Sequence, residues 1–151
     1  MAEKLPRPFQ KMAEDYYVSL FDHLPTLPME RLKLGIAVAP EFTKRLEEFR
    51  AAAVLDGALD DKTKQLISVA FLAARASAGT YFHAKAARKF GASWGELHKA
   101  VELAAFYTGF SALNEGGQAL VRLYKEEQEA KTKKANGKSG KARVSARAGA
   151  R

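Results

Sequence analysis

One histidine stands out among the residues that could do acid–base chemistry. His83 lies in the stretch RASAGTYFHAKAARKFGAS, residues 75–93, between small residues and a glycine that is typical of a helix end. An imidazole titrates near neutral pH, so His83 could donate or accept a proton in a reaction. The alternative is a half-buried structural histidine whose ring packs beside Phe82 or Phe90. The sequence leaves both interpretations open.

The chain contains no cysteine. Thiolate nucleophiles, disulfides and thiolate metal sites within the chain are therefore excluded. The three histidines are far apart and form no H-x-x-x-H or H-E-x-x-H pattern, so we expect neither a metal site nor a cofactor. His98 stands beside Lys99 on a predicted solvated face, and His23 precedes a proline-rich turn. Both are predicted to have no chemical role.

The net charge of +8 is concentrated at the C-terminus. Eight of the 25 Lys and Arg residues, and no Asp or Glu, lie in residues 131–151, which leaves 17 basic residues against 17 acidic ones in residues 1–130. Val144 is the one aliphatic residue larger than alanine in this segment, so it is predicted to be a disordered basic tail. The tail either solubilises the protein or binds nucleic acid or another polyanion, and without aromatic residues it is not expected to read base sequence.

The remaining 130 residues are predicted to form a single all-α domain of about six helices. No alternating strand pattern of useful length occurs. There is no apolar run of about 18 residues that could span a membrane, and the N-terminus lacks the apolar region of a signal peptide. We therefore expect a cytoplasmic protein that does not bind membranes.

Local signals predict several helix ends. Pro25 and Pro28 end a first helix, whose apolar residues have near-helical spacing: Phe9, Met12, Tyr16, Leu20 and Leu24. Leu32–Val38 is a short apolar segment. Acidic residues open the helix at 59–76, Gly91 closes the helix around 81–90, and Gly109 breaks the next helix. Ser93 and Glu96 predict a capping box, and a last helix is predicted over about 111–129.

Pro40 suits the first turn of another helix. Its apolar side chains are predicted to form the buried face: Phe42, Leu46, Phe49 and Ala53. Its charged side chains are predicted to lie largely outside: Lys44, Arg45, Glu47, Glu48 and Arg50.

Four marks in order carry a resemblance to a known family. They are the entry Leu59, Asp60, Thr63 and Leu66 within LDGALDDKTKQLISVAFLAA, a histidine-bearing helix closed by FGAS, the segment ELHKAVELAAFYTGF, and Asn114. Over about residues 40–124 the chain resembles the carboxymuconolactone decarboxylase and AhpD-like family. The resemblance implies an AhpD-like helical bundle that assembles into trimers or hexamers, with the active cleft near subunit contacts.

The redox branch of that family has a C-x-x-C-x-x-x-H motif and a glutamate on the preceding helix. Here His83 fits the histidine, whereas Ala76 and Gly79 stand at the two cysteine positions. Twelve residues before Ala76 stands Lys64, with Gln65 next to it, and neither is glutamate. Because disulfide exchange requires thiolates, the chain is not expected to act as a thiol peroxidase or disulfide reductase.

The decarboxylase branch retains the histidine without the cysteine pair. By this resemblance His83 would donate or accept a proton in cofactor-free chemistry, decarboxylation or a related lyase reaction, on a small organic acid or lactone. Lys85, Arg75 and Tyr107 are candidates to stabilise the developing oxyanion. The segment that reads G-F-P in the family is Gly109–Ser111 here, without the proline, which weakens any transfer of substrate specificity.

An alternative function belongs to another class. The fold could have lost catalysis and serve as an oligomeric scaffold whose basic tails bind nucleic acid or another polyanion together. The surroundings of His83 discriminate between the two. An enzyme predicts a cleft at His83 with a Lys, Arg or Tyr within hydrogen-bonding reach, and a scaffold is compatible with a histidine sealed in an apolar core.

Overall fold

The computed structural model describes the backbone of residues 7–23, 25–54 and 57–148, and within these ranges the side chains of 11 and 14–136. This part of the chain is all-α, as predicted, with seven helices and no strand. The helices are α1 Arg7–Phe21, α2 Thr26–Val38, α3 Pro40–Val54, α4 Asp61–Ala74, α5 Gly79–Lys89, α6 Trp94–Thr108 and α7 Phe110–Ala148. Three of the five apolar residues named in the predicted first helix lie outside the described side chains: Phe9, Met12 and Leu24.

The ends of the central helices are fixed by local caps. The Asp60 side chain accepts a hydrogen bond from the Thr63 backbone N–H at 2.8 Å and so caps α4. The predicted capping box of α6 is present, with Ser93 and Glu96 each accepting from the backbone of the other. Gly91 has φ +89 after α5, a conformation in which a side chain would be strained.

One helix was not predicted as such. The sequence indicated only a short apolar segment at Leu32–Val38, whereas α2 runs from Thr26 to Val38. Pro28 is compatible with this helix because it occupies the first turn, where a backbone N–H has no intrahelical acceptor. Met29 and Leu32 are buried one turn apart, and this packing supports a helix that local signals leave ambiguous.

The predicted orientation of α3 is wrong. Phe42 and Phe49 are 68% and 72% exposed, whereas Thr43 and Glu47 are buried. The charged face of α3 turns inward because Glu47 forms ion pairs with Arg31 on α2 and with Arg50. The apolar face of α3 is therefore left on the surface of the single chain.

Two hydrophobic clusters hold the domain together. The larger joins α4, α5, α6 and α7, with fully buried Val69, Ala84, Leu97 and Val101 at its centre. The smaller joins α1 and α2 to α5 through Tyr17, Leu20, Phe21, Leu32 and Ala86. Small residues allow the central helices to approach closely: a Cβ on Gly116 of α7 would lie 2.7 Å from Val101 Cγ1.

The last helix continues beyond the predicted end of the folded domain near residue 130. The side chains of 131–136 are all exposed, so they contribute no buried apolar surface. A helical segment without an apolar face is only marginally stable in water. The disorder of 131–151 in solution stays a prediction, and residues 149–151 lie outside the described chain.

None of the helices described is both long enough and apolar enough to cross a membrane.

Candidate functional site

A cavity of about 540 Å³ lies where α1, α2 and α3 pack over α4 and α5. His83 is one of its wall residues. We call it the His83 cavity, and it is lined by Tyr16, Tyr17, Phe21, Pro25, Pro28, Arg31, Arg50, Val54, Leu72, Ser77, Gly79, Phe82 and His83. The predicted cleft beside His83 is thus present, with two tyrosines and two arginines in its wall.

A buried amide orients the His83 ring. Nδ1 lies 2.8 Å from Oε1 of Gln65, whose side chain is buried in the middle of α4. An amide oxygen only accepts hydrogen bonds, so Nδ1 carries the proton and donates it to Gln65. The neutral ring then has its lone pair on Nε2. The partner within hydrogen-bonding distance is therefore Gln65 and not the expected Lys, Arg or Tyr.

The lone pair on Nε2 is accessible. Among the described residues, His83 makes no hydrogen bond besides the one to Gln65. In the same part of the chain, no buried side-chain nitrogen or oxygen is without a partner. An unpartnered Nε2 must therefore keep some accessible surface, and His83 lines the cavity.

Burial makes the ring a neutral group at pH 7. Desolvation lowers the pKa of His83 to about 4, because the protein cannot solvate an imidazolium as water does. The Phe21 ring packs edge-on against the imidazole, with 5.6 Å between ring centroids. Gln65 contributes no negative charge that would offset this desolvation. His83 is therefore poised to accept a proton at Nε2 rather than to donate one.

Two arginines line the same cavity, and a buried carboxylate, Glu47, lies against both. Oε1 of Glu47 is 3.4 Å from Arg31 Nη2 and 3.1 Å from Arg50 Nη2, and the Glu47 side chain is 3% exposed. Burial raises the pKa of Glu47, although Arg31 partly opposes the effect. Burial also lowers the pKa of Arg50, which lies over the Tyr17 ring. Arg50, whose side chain is only 21% exposed, therefore interacts more strongly with an anion than a fully solvated arginine would.

Tyr16 supplies a hydroxyl to the same cavity. Its burial raises the pKa of the phenol to about 12, with Arg50 opposing and Glu47 adding to the effect. The hydroxyl therefore stays protonated at pH 7 and can donate a hydrogen bond. Together with Arg50 it forms the polar side of a cavity whose other walls are mainly aromatic and aliphatic.

Of the four residues proposed from the sequence for chemistry, only His83 lies on this cavity in the single chain. Lys85 follows it on α5 but faces a different cavity of about 460 Å³, beside Glu126 and Asp22. Tyr107 is 78% exposed near the end of α6, and Arg75 is exposed just after α4. The structure therefore does not bring Lys85, Tyr107 or Arg75 to the His83 ring.

Neither the buried polar partner of His83 nor the position of Arg50 in the cavity wall was predicted from the sequence. Gln65 was noted only as not being glutamate, although its spacing from the buried residues Val69 and Ala73 places it on the buried face of α4. A polar residue in that register is a signal for a buried hydrogen bond. Arg50 was placed outside because α3 was expected to bury its phenylalanines.

The two family cysteine positions differ in their surroundings. Gly79 lines the His83 cavity, so the cavity reaches the place where the redox branch carries one thiol. Ala76 is exposed after the end of α4 with φ +48, which is uncommon for a residue with a side chain. Within the described chain, no three His, Asp or Glu side chains are grouped so that they could hold a metal ion.

Comparisons with known proteins agree with the fold. Residues 40–121 match the model of the carboxymuconolactone decarboxylase family. A crystal structure described as a "putative carboxymuconolactone decarboxylase" from Burkholderia xenovorans LB400 is 28% identical in sequence and superposes with a TM-score of 0.69. That match covers 84% of this chain and 97% of the other. A search of curated proteins finds no significant match.

Proposed function

Because the chain belongs to the carboxymuconolactone decarboxylase family, we propose that it catalyses cofactor-free acid–base chemistry on a small organic acid or lactone. His83 is the catalytic base. The observation that carries this proposal is the pairing of Nδ1 with Gln65, which leaves the lone pair of a neutral ring accessible at the cavity. No thiol takes part, because the chain has no cysteine.

The neutral ring sets the order of the proton transfers. His83 first accepts a proton at Nε2 and returns it in a later step, because its pKa of about 4 leaves no proton there at pH 7. A base this weak acts best on an activated C–H bond next to a carbonyl group. The reaction class is therefore proton transfer at such a carbon. In a related decarboxylation the substrate carboxylate would leave as CO₂ and the carbanion would take its proton from water, because the neutral ring holds none on Nε2.

Charge that develops on the substrate carbonyl needs a donor. Tyr16 shares the cavity with His83, and its protonated hydroxyl can donate a hydrogen bond to an enolate oxygen. Arg31 is half exposed and already donates to Tyr17 and Glu47, so it fits this role less well. The aromatic walls limit the water around the reacting atoms, which strengthens these electrostatic contacts.

A thermal-shift screen of small keto acids and lactones tests this proposal. A ligand at 100 times its Kd stabilises a protein by about 2.7 kcal/mol, a shift of roughly 5 °C or more for a chain of this size. The shift should be present in the wild type and in His98→Ala, which removes an exposed histidine, and reduced in His83→Ala. A ligand that stabilises all three proteins equally would argue against a role for His83.

We also propose that copies of the chain assemble. Among the described side chains five phenylalanines are exposed in the single chain, and this much exposed aromatic surface is typical of an interface: Phe42, Phe49, Phe71, Phe106 and Phe110. The trimer or hexamer implied by the family resemblance would bury them. A second copy could also bring Tyr107, which lies among these residues on α6 and α7, toward a neighbouring cavity.

The alternative function is retained as a second proposal: an oligomeric scaffold that binds nucleic acid or another polyanion. The observation in its favour is the exposure of Lys131, Lys133 and Lys134, which no acidic neighbour in 131–136 balances. Such binding should weaken steeply with salt. A mobility-shift titration compares the full chain with one ended at residue 130, and equal DNA binding by the two would refute the role of the tail.

A further inference from the structure

We propose that Arg50 anchors a single carboxylate of the ligand, and that the ligand is a monoanion with an apolar body. This inference rests on the proposed function and deepens it, because it gives the charge and shape class of the molecule that His83 acts upon. Arg50 is then a binding and specificity residue of the His83 cavity, separate from the base.

The hydrogen-bonding state of Arg50 is the first argument. A guanidinium has five N–H donors, and the only ion pair of Arg50 among the described residues is the 3.1 Å contact with Glu47. No hydrogen bond from Arg50 is found in that part of the chain, although its side chain is only 21% exposed. Since no buried nitrogen there lacks a partner, the guanidinium nitrogens keep accessible surface, and Arg50 lines the cavity.

The charge balance is the second argument. Among the residues that the structure describes, Arg31 and Arg50 are the charged side chains in the cavity wall, and Glu47 lies directly against both. Two positive charges and one negative charge leave one positive charge for the ligand to balance. A monocarboxylate does so, whereas a dicarboxylate would place a second charge in a cavity with no cation left for it.

The shape of the cavity is the third argument. Beyond the arginines its walls are formed by aromatic and aliphatic side chains, with Phe21 and Phe82 in T-shaped contact at 6.1 Å between centroids. Apolar walls with a few polar anchors are typical of small-molecule sites, and the volume lies within their usual range. Such walls favour an aryl or branched alkyl body over a polyhydroxylated one.

A purely structural role for Arg50 makes a different prediction. If Arg50 only neutralised Glu47, its loss would destabilise the protein without changing which small molecules bind. If it anchors a carboxylate, its loss removes the preference for an acid over the neutral amide of the same shape. The ratio of the affinity for the acid to the affinity for its amide therefore distinguishes a structural role of Arg50 from an anchoring role. A change in the apolar walls would alter both affinities alike and leave the ratio unchanged.

The experiment measures this ratio by isothermal titration calorimetry with three acids and their primary amides: benzoate, phenylacetate and 4-methylpentanoate. We expect at least one acid to bind the wild type tighter than its amide by about tenfold or more, as for one charge-assisted hydrogen-bonded pair. Arg50→Gln should bring that ratio close to one. Arg45→Gln, which removes an exposed arginine of the same helix, should leave the ratio unchanged.

Arg50→Gln leaves the buried Glu47 with Arg31 as its remaining ion-pair partner, and this variant could fail to fold. A second variant keeps the test valid in that case. Glu47→Gln/Arg50→Gln removes both charges together and should also lose the preference for the acid. Glu47→Gln alone leaves two positive charges, so it should strengthen binding of terephthalate relative to benzoate. A wild type that binds acid and amide equally, or an Arg50→Gln protein that keeps the full preference, would overturn the proposal.

The failure of the anchor and the failure of the base are distinguishable. If ligands bind without preference for the acid but depend on His83, the anchor is refuted and the proposed function stands. If Arg50 confers the preference for the acid, but His83→Ala leaves the affinities for acid and amide unchanged and catalysis is absent, the carboxylate anchor stands and the proposed function is refuted. His83→Ala should weaken acid and amide by similar factors, so it leaves the ratio of the wild type intact.

Discussion

Replacing Gln65 by glutamate should turn the neutral base into a group that is charged near neutral pH. In the wild type, burial lowers the pKa of His83 to about 4. Compared with the ordinary value of 6.5, this corresponds to about 3 kcal/mol against the imidazolium. Because Nδ1 lies 2.8 Å from Oε1 of Gln65, the substitution Gln65→Glu places a carboxylate beside the ring. With charge centres ~4 Å apart, the attraction is about 4 kcal/mol at an effective dielectric constant of about 20.

This attraction is large enough to offset most of the desolvation of the ring. We therefore expect Gln65→Glu to raise the pKa of His83 from about 4 to about 6 or above, measured on the pair as one coupled system. The assay is an NMR titration of the Cε1–Hε1 signal of His83. His23 and His98 are internal references in the same spectra, and Gln118→Glu, at a position remote from the ring on α7, is the control variant.

Two results would refute this reasoning. A wild-type pKa of about 6 or above for His83 would show that the ring is not desolvated as the structure indicates. An unchanged pKa in Gln65→Glu would show that residue 65 does not contact the ring. If Gln65→Glu does not fold, Gln65→Met keeps the size and removes the acceptor. That variant should lose the preference for the tautomer with hydrogen on Nδ1, which ¹⁵N chemical shifts report directly.

Three further predictions concern stability and assembly. Between pH 6.5 and about 4, His83 takes up a proton when the protein unfolds, because its pKa is about 4 in the folded state and about 6.5 in the unfolded state. The free energy of unfolding should therefore contain a contribution of up to about 3 kcal/mol from His83 that is complete above pH 6.5 and lost as the pH falls to 4. Urea denaturation at a series of pH values should show this loss in the wild type and not in His83→Gln. Gly116→Ala should lower the free energy of unfolding by about 1–3 kcal/mol, because the new Cβ would lie 2.7 Å from Val101 Cγ1. A decrease in the free energy of unfolding too small to measure by urea titration would contradict this packing. Phe42→Asp/Phe49→Asp should lower the mass measured by light scattering to that of a smaller assembly with helical content retained, and an unchanged mass would exclude this face from the interface.

Helix ends were predictable because their signals are local. The cap at Asp60, the capping box of Ser93 and Glu96, and the glycines at 91 and 109 each act within a few residues. The family resemblance over about residues 40–124 is confirmed by the match to residues 40–121. These features need no knowledge of which helices pack together, so sequence reasoning could place them.

The site was not predictable in the same way because it depends on contacts between distant residues. Gln65 and His83 are 18 positions apart, and Arg31 and Glu47 are 16 apart. The rule that apolar faces point inward failed for α3, where an ion-paired face lines a cavity and the phenylalanines remain on the surface. Lys85, Arg75 and Tyr107 were candidates because of their positions in the sequence pattern. Such positions do not tell which side chains face the same cavity in the folded chain.

Proton exchange at an activated carbon shows directly whether His83 is a catalytic base. Levulinate and α-acetyl-γ-butyrolactone are incubated in D₂O at neutral pD, and NMR follows the loss of their carbon-bound protons. We predict that the wild type accelerates exchange of at least one of them by about 100-fold or more over His83→Gln, the usual range for a general base. Exchange no faster than in buffer alone, or equally fast with His83→Gln, would contradict the assignment of His83 as the catalytic base.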